Sequence, residues 1–362
     1  MLEGLGGVSK IPELQRRILF TLLLLAVYRI GVFIPTPGID NTALLAFFEH
    51  ARGSMMGLMD LFTGGALSSF SIFALGIMPY ITSSIILSLL TVAIPHLEKL
   101  SKEGESGRRK ITQYTRYGTV GLSIIQGFGI AWGLQQMASP TGAPIVLHAG
   151  WGFIIMTIIT LTSGTAFLMW LGETMTEKGI GNGISLIIFA GIVCRLPAGI
   201  SRTWSLYSSG EIHFLMVVIL GIFMVAVIGA IVYVEAAQRR IPVQYAKRIV
   251  GRKIYGGQST HLPLKINSSG VIPPIFASSV IMFPATIANF APAGLMKTIS
   301  GYLMPGRIGY EVLFVALIFF FCFFYTAVTI KPDDMADNMK KFGGYVPGIR
   351  PGKKTAEYIE EI

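Results

Sequence analysis

Cysteine is scarce, charge is sparse, and no apolar run carries a central acid or lysine; each shortage removes a class of function. Only Cys194 and Cys322 are present, both in or beside apolar runs, so neither a disulfide framework nor a thiolate metal site can be built. The histidines His50, His96, His148, His213 and His261 are scattered and read as loop or interfacial residues rather than metal ligands. A proton- or ion-coupled pump needs ionisable groups at membrane depth, and the runs supply no Asp, Glu or Lys there. Gly104-Glu-Ser-Gly107-Arg-Arg-Lys110 lacks the glycine spacing and the Lys-Ser/Thr pair of a phosphate loop, so nucleotide binding is not expected. No cofactor, metal or catalytic residue is expected, and the chain does not read as an enzyme.

What is present is apolar. Hydrophobic residues make up 52% of the 362 and charged residues 13%, with a mean hydropathy of +0.64, which points to a polytopic membrane protein. Eight charge-poor runs, 18–34, 72–94, 117–137, 151–171, 183–196, 212–234, 270–290 and 312–330, are mostly close to the ~20 residues that a helical span needs. They are continuous rather than alternating and too long for barrel strands, so the fold class is all-α, a membrane helix bundle.

Basic residues fall in every second gap. Of 29 Lys and Arg, 23 lie before the first run, at 99–116, at Lys178, at 239–265 and at 331–354. The remaining gaps hold Arg52, Arg202, Lys297 and Arg307, with Arg29 and Arg195 near helix ends. The positive-inside rule makes the rich side cytoplasmic and, with an even count, puts both ends of the chain there. Residues 1–17 lack the pattern of a cleavable signal.

Several runs are interrupted. Between Asp60 and Glu98 lie 37 uncharged residues, too many for one span, broken by Gly64-Gly65, Ser68-Ser69, Ser71, Gly76 and Pro79. The pattern predicts a short segment near 58–67, a break, and then a full span. Irregular backbone at membrane depth is tolerated where it is buried in protein or lines a water-filled cavity, so the break suits a pore or binding site as well as a kinked bundle. Gly179-Ile-Gly-Asn-Gly183 opens the fifth run, Pro273-Pro274 sits in the first turns of the seventh, and Gly129-Ile-Ala-Trp-Gly133 suits a close helix contact. The segments 235–269 and 331–362 are long, basic and rich in helix breakers. Arg239, Arg240 and Arg350 are expected in tight turns, where an arginine fork can be presented rigidly to a large anionic partner such as ribosomal RNA or an acidic protein face.

Five motifs, in order, then become specific: Gly64-Gly-Ala-Leu-Ser-Ser-Phe-Ser-Ile-Phe-Ala-Leu-Gly-Ile-Met-Pro-Tyr-Ile81, Lys102-Glu-Gly-Glu-Ser-Gly-Arg-Arg-Lys-Ile-Thr-Gln-Tyr-Thr-Arg-Tyr117, Gly179-Ile-Gly-Asn-Gly-Ile-Ser185, Ser259-Thr-His-Leu-Pro-Leu-Lys-Ile-Asn267 and Val346-Pro-Gly-Ile-Arg-Pro-Gly352. Together they resemble the SecY family, the channel subunit of the bacterial protein translocon, along essentially the whole chain. The resemblance implies a channel of two inverted halves that passes unfolded secretory chains across the cytoplasmic membrane and releases apolar segments sideways into lipid. The halves are expected at 1–200 and 201–362. The family has ten spans, so the second half would hold three of its five, leaving an exposed funnel wall.

The same resemblance assigns residues. The plug falls near 58–67, with Phe62, Gly64 and Gly65; the pore ring falls on Ile77, Ile81, Ile188 and Ile275. The lateral gate falls on Thr82, Gln126 and Phe283, and partner binding on Arg239, Arg240, Lys247, Arg248, Arg252 and Arg350. Implied partners are SecE- and SecG-type small subunits, a SecA motor ATPase, the ribosome, signal sequences, nascent chains and lipid. Helix geometry agrees independently: Ile77 and Ile81 share a face, while Thr82 lies about 100° from Ile81, and Phe283 about 80° from Ile275, around their helices. Residue by residue, and without the resemblance, plain helix packing is the preferred reading of each isoleucine. An inverted-repeat secondary transporter and a non-transporting scaffold are the rival readings, and neither accounts for the motifs.

Overall fold

The computed structural model of the chain describes residues 11–50, 57, 60, 63–136, 144–245, 248–250, 253–255, 259–288 and 307–361. Its described elements are, in order, α1 (Pro12–Val32), α2 (Asn41–His50), α3 (Met78–Ala93), α4 (Pro95–Lys102), α5 (Glu105–Gln136), α6 (Trp151–Lys178), α7 (Gly183–Val193), α8 (Leu196–Ser208) and α9 (Phe214–Ala236). They continue as β1 (Gln238–Tyr245), β2 (Arg248–Val250), β3 (Lys253–Tyr255), β4 (Ser259–Lys265), α10 (Ile272–Ala288), α11 (Ile308–Thr329), α12 (Pro332–Lys341), β5 (Gly344–Tyr345) and α13 (Lys353–Glu361). The chain divides into two compact units, Met1–Trp204 with Phe276–Val315, and Ser205–Ile275 with Ala316–Ile362.

Each apolar run forms a helix, with boundaries set by local chemistry. Among the described residues, four helical stretches are long and apolar enough to cross a membrane: Trp151–Lys178, Gly183–Ser208, Phe214–Ala236 and Ile308–Lys341. The pair α3 and α4, bent by 100°, makes a fifth if taken as one span. The clearest is α9, with mean hydropathy 3.1 and none of its residues buried. A helix apolar on every side is stable in lipid and not in water. By contrast, α1 carries Arg16, Arg17 and Arg29 along its 21 residues.

Three expected boundaries move. The second run becomes helical only at Met78, because Pro79 suits a first turn and residues 63–77 keep turn geometry. It ends at Ile94, extended at φ −107° and ψ 114°, as expected for a residue before proline. The third helix starts at Glu105 rather than 117, and its 32 residues give a rod of about 48 Å that outruns a bilayer. The fifth apolar stretch does not stop at 196 but turns at Cys194-Arg195 and continues as α8 to Ser208.

In the first unit the core gathers at one end of the helices. Leu44 and Phe48 of α2, Leu67, Phe70 and Leu75 of the turn segment, Leu134 of α5, Ile145 and Val146, and Phe153, Ile154 and Leu161 of α6 are buried together. Extended segments tie this end: Thr36 N–H donates to Phe70 O at 2.9 Å, and Asp40 N–H to Ile145 O at 3.0 Å. At the other end of α6, the Gly179–Gly183 turn is bonded to two helices. Asn182 caps α7 by accepting from Ile184 N–H and Ser185 N–H, while Thr176 Oγ1 accepts from Gly183 N–H and Thr21 Oγ1 from Ile180 N–H. A methyl at Gly183 would sit 2.2 Å from Gly172 O, so this contact accepts only glycine.

In the second unit the basic loop is a small antiparallel sheet of order β4-β1-β5. Ile241 and Val243 face inward and are buried, and Ile241 pairs with Leu262 and Val243 with Thr260. Pro242 falls where β1 has β4 as its only paired neighbour, since β5 reaches only Gln244 and Tyr245. At the sheet's exit Asn267 Nδ2 donates to Glu235 Oε1 at 2.8 Å and its Oδ1 accepts from Gly270 N–H at 3.1 Å, fastening the loop to the end of α9.

Candidate functional site

The segment before α3 is the irregular backbone that the sequence places at membrane depth. Ala66, Leu67, Phe70, Phe73, Ala74 and Leu75 are buried although none is helical, and buried amides outside a helix must find partners one by one. Some bonds are internal: Gly65 N–H to Asp60 O at 3.0 Å, Ser71 N–H to Ala66 O at 2.9 Å and Gly76 N–H to Phe73 O at 2.7 Å. Others come from the C-terminal end of α1, where Tyr28 Oη donates to Thr63 O at 3.2 Å and Arg29 Nη1 to Gly64 O at 2.9 Å.

A second grip comes from the end of α7. Asp60 Oδ1 accepts from Ser68 N–H at 2.7 Å, and its Oδ2 accepts from Arg195 Nη2. The Asp60 side chain is 7% exposed and that of Arg195 35%. Gly64 has φ +66°, and a Cβ there would lie 2.7 Å from Gly191 Cα on α7. The Gly64-Gly65 pair is therefore needed twice, for a left-handed backbone and for close helix approach. The segment rests in a cradle between the C-terminal ends of α1 and α7.

Two of the expected ring positions follow it directly along the chain. Ile77 is the residue before α3 and Ile81 lies one turn on, its N–H donating to Ile77 O at 3.1 Å; both are buried. Ile188 of α7 is half-buried. Ile275 of α10 is half-buried and belongs to the second unit. Of the gate positions, Thr82 is half-buried and donates to Met78 O of its own helix at 3.0 Å, and Gln126 is half-buried on α5. Phe62, Lys247 and Arg252 lie outside the described residues, as do the side chains of Arg248 and Phe283.

Two of the arginines expected to meet partners are placed differently from expectation. Arg239 and Arg240 are in strand β1, not in a turn, because the alternation around Ile241 and Val243 pairs this stretch with β4. As neighbours in a strand they project from opposite sheet faces and do not form one patch. Arg350 lies in irregular backbone between two turns, is exposed, and offers its carbonyl to Thr355 Oγ1 at 2.9 Å. Toward the opposite end of α6 from the core, Arg116 of α5 makes a two-bond fork to Glu173, at 3.1 and 2.8 Å.

Sequence reasoning located the break and its glycines but did not connect Asp60, Arg29 and Arg195. The visible signal was two arginines at helix ends on the charge-poor side, where a basic residue needs a reason.

Comparison with known structures sets the class. The fold matches a solved chain described as "The structure of a protein conducting channel" with TM-score 0.63 and 18% identity, over 98% of this chain and 84% of that one. It also matches one described as "The plug domain of the SecY protein stablizes the closed state of the translocation channel and maintains a membrane seal", with TM-score 0.59 and 19% identity, over 98% and 84%. The architecture is that of a protein-conducting channel. In sequence, the SecY family model matches residues 71–362, and the protein translocase subunit SecY of Escherichia coli K12 is 54% identical over 361 residues, 99% of this chain and 80% of that one. The chain belongs to the SecY family and is a multi-pass membrane protein of the protein translocase.

Proposed function

We propose that the chain works as the closed, gated pore of a bacterial inner-membrane translocon, with both of its ends cytoplasmic. Residues 1–200 and 201–362 form the two inverted halves. Ile77, Ile81, Ile188 and Ile275 form a ring of branched apolar side chains, which seals around a chain of any sequence and gives ions no partner, gating by dewetting. The segment 58–67, with Phe62, Gly64 and Gly65, is the plug. Thr82, Gln126 and Phe283 line the seam through which apolar segments leave for lipid.

The observation that carries this reading is the buried, non-helical stretch 63–77 before α3, held by Arg29 of α1 and by the ion pair of Asp60 with Arg195 in the turn after α7. A stretch held by a few side-chain contacts suits a removable stopper. Arg239, Arg240, Lys247, Arg248, Arg252 and Arg350 present charge to a SecA-type motor or a ribosome, and SecE- and SecG-type single-span subunits cover lipid-facing helices such as α9.

Reconstitution tests the reading. Vesicles holding the channel with its small subunits should take up a secretory polypeptide when the motor and ATP are supplied, and should stay tight to ions otherwise. Uptake of a small solute in place of polypeptide would favour the transporter reading and overturn this one.

A further inference from the structure

We infer that Asp60 and Arg195 are a positioning pair that latches the channel shut, a reading that rests on segment 58–67 being the plug. A carboxylate exposed by only 7% is tolerated only when it is paired and hydrogen-bonded, since its desolvation otherwise exceeds any packing gain. Asp60 satisfies both conditions in this one place, through Arg195 and Ser68 N–H. The two residues are 135 apart in sequence, one on the segment that must move and one at the turn between α7 and α8. Once the segment leaves its cradle, Asp60 is free to hydrate, and the pair contributes only to the closed state.

Arg29 grips the same segment less selectively. Its Nη1 holds a backbone carbonyl, that of Gly64, and its guanidinium lies 5.2 Å from the Phe33 ring centre. A carbonyl acceptor is offered by any residue, so this contact survives most substitutions in the segment. The discrimination between seated and unseated rests on the charge pair.

The geometry makes the pair asymmetric. Arg195→Gln leaves a buried carboxylate without a counter-charge. Asp60→Asn leaves a guanidinium that is 35% exposed and can turn to solvent, while the amide oxygen still accepts from Ser68 N–H. The double variant leaves no buried charge at all. Arg195→Lys keeps the charge and should stay close to wild type.

The test is closed-state ion conductance of the reconstituted channel with its small subunits, together with passage of a secretory chain bearing a weakened signal. Arg195→Gln should raise conductance about tenfold or more and relax signal selectivity. Asp60→Asn should raise it less, and the double variant should match Asp60→Asn rather than exceed Arg195→Gln. A merely structural role would lower yield in all three variants without this order. Deleting residues 58–67 separates the two readings: if the deletion opens the channel while Arg195→Gln does not, the latch is wrong and the plug stands. If the deletion itself changes nothing, both fall. Should Arg195→Gln fail to accumulate, the double variant decides, because conductance equal to wild type would show that the pair holds nothing closed.

Discussion

Gly64 has no room for a side chain and no comfortable backbone for one. At φ +66° an alanine pays ~1–2 kcal/mol for the left-handed conformation, and its methyl would meet Gly191 Cα at 2.7 Å, a backbone atom that cannot step aside. Gly64→Ala should therefore lift the segment from its cradle and raise closed-state conductance, with little change in the amount of protein in the membrane. A tight Gly64→Ala channel would show that the approach to α7 is not needed for closure. A second residue carries a pH dependence. Asp40 caps α2, accepting from Thr42 Oγ1, Ala43 N–H and Thr42 N–H, and these bonds hold its carboxyl below the usual carboxylate range. Since the folded value is depressed, its contribution is present above the ordinary value of 3.8 and is lost as pH falls through the lower, folded one. Thermal unfolding of the detergent-solubilised channel should lose stability on acidification below that range, and Asp40→Asn should blunt this component of the slope.

The elements show what a pattern can and cannot reveal. Helix α9 was legible because the uncharged apolar stretch 214–234 has one stable state in a bilayer. The sheet was missed: Arg239 to Tyr245 reads as a basic loop, and only pairing with Ser259–Lys265, a distant stretch, gives its alternation a meaning. That pairing changes a prediction. Because Arg239 and Arg240 point to opposite faces, single reversals should separate: one should weaken motor or ribosome binding and lower the salt slope by about 1, and the other should not. Arg350→Glu, at an exposed position between two turns, should behave like the effective one. A salt-titrated binding assay on each variant, with membrane insertion as control, measures this. Identical losses for Arg239→Glu and Arg240→Glu would show that net charge alone matters.

For the whole molecule, the proposed ring and the proposed seam each carry a test. Replacing Ile188 with Asn wets the constriction, so ion leak and passage of weak-signal substrates should rise together. Unchanged leak would reduce Ile188 to packing. Cysteines at Thr82 and Phe283, in a background with Cys194 and Cys322 removed, should form a disulfide only when α3 and α10 bring their Cα atoms to within roughly 4.4–6.8 Å. The bond should stop sideways release of apolar segments into lipid. Release that continues after complete crosslinking would place the seam elsewhere.

The sequence by itself determined the membrane setting, the helices and the family, because these depend on local quantities: uncharged length, the side on which arginines fall, and motifs read in order. It also marked the break before α3, since glycine, serine and proline punctuate an apolar run in one dimension. Only the tertiary structure decided what the break rests on. Asp60 and Arg195 acquire meaning from sharing one nearly dry site, and the cost of burying a carboxylate is a property of that site rather than of either residue's neighbours in the chain.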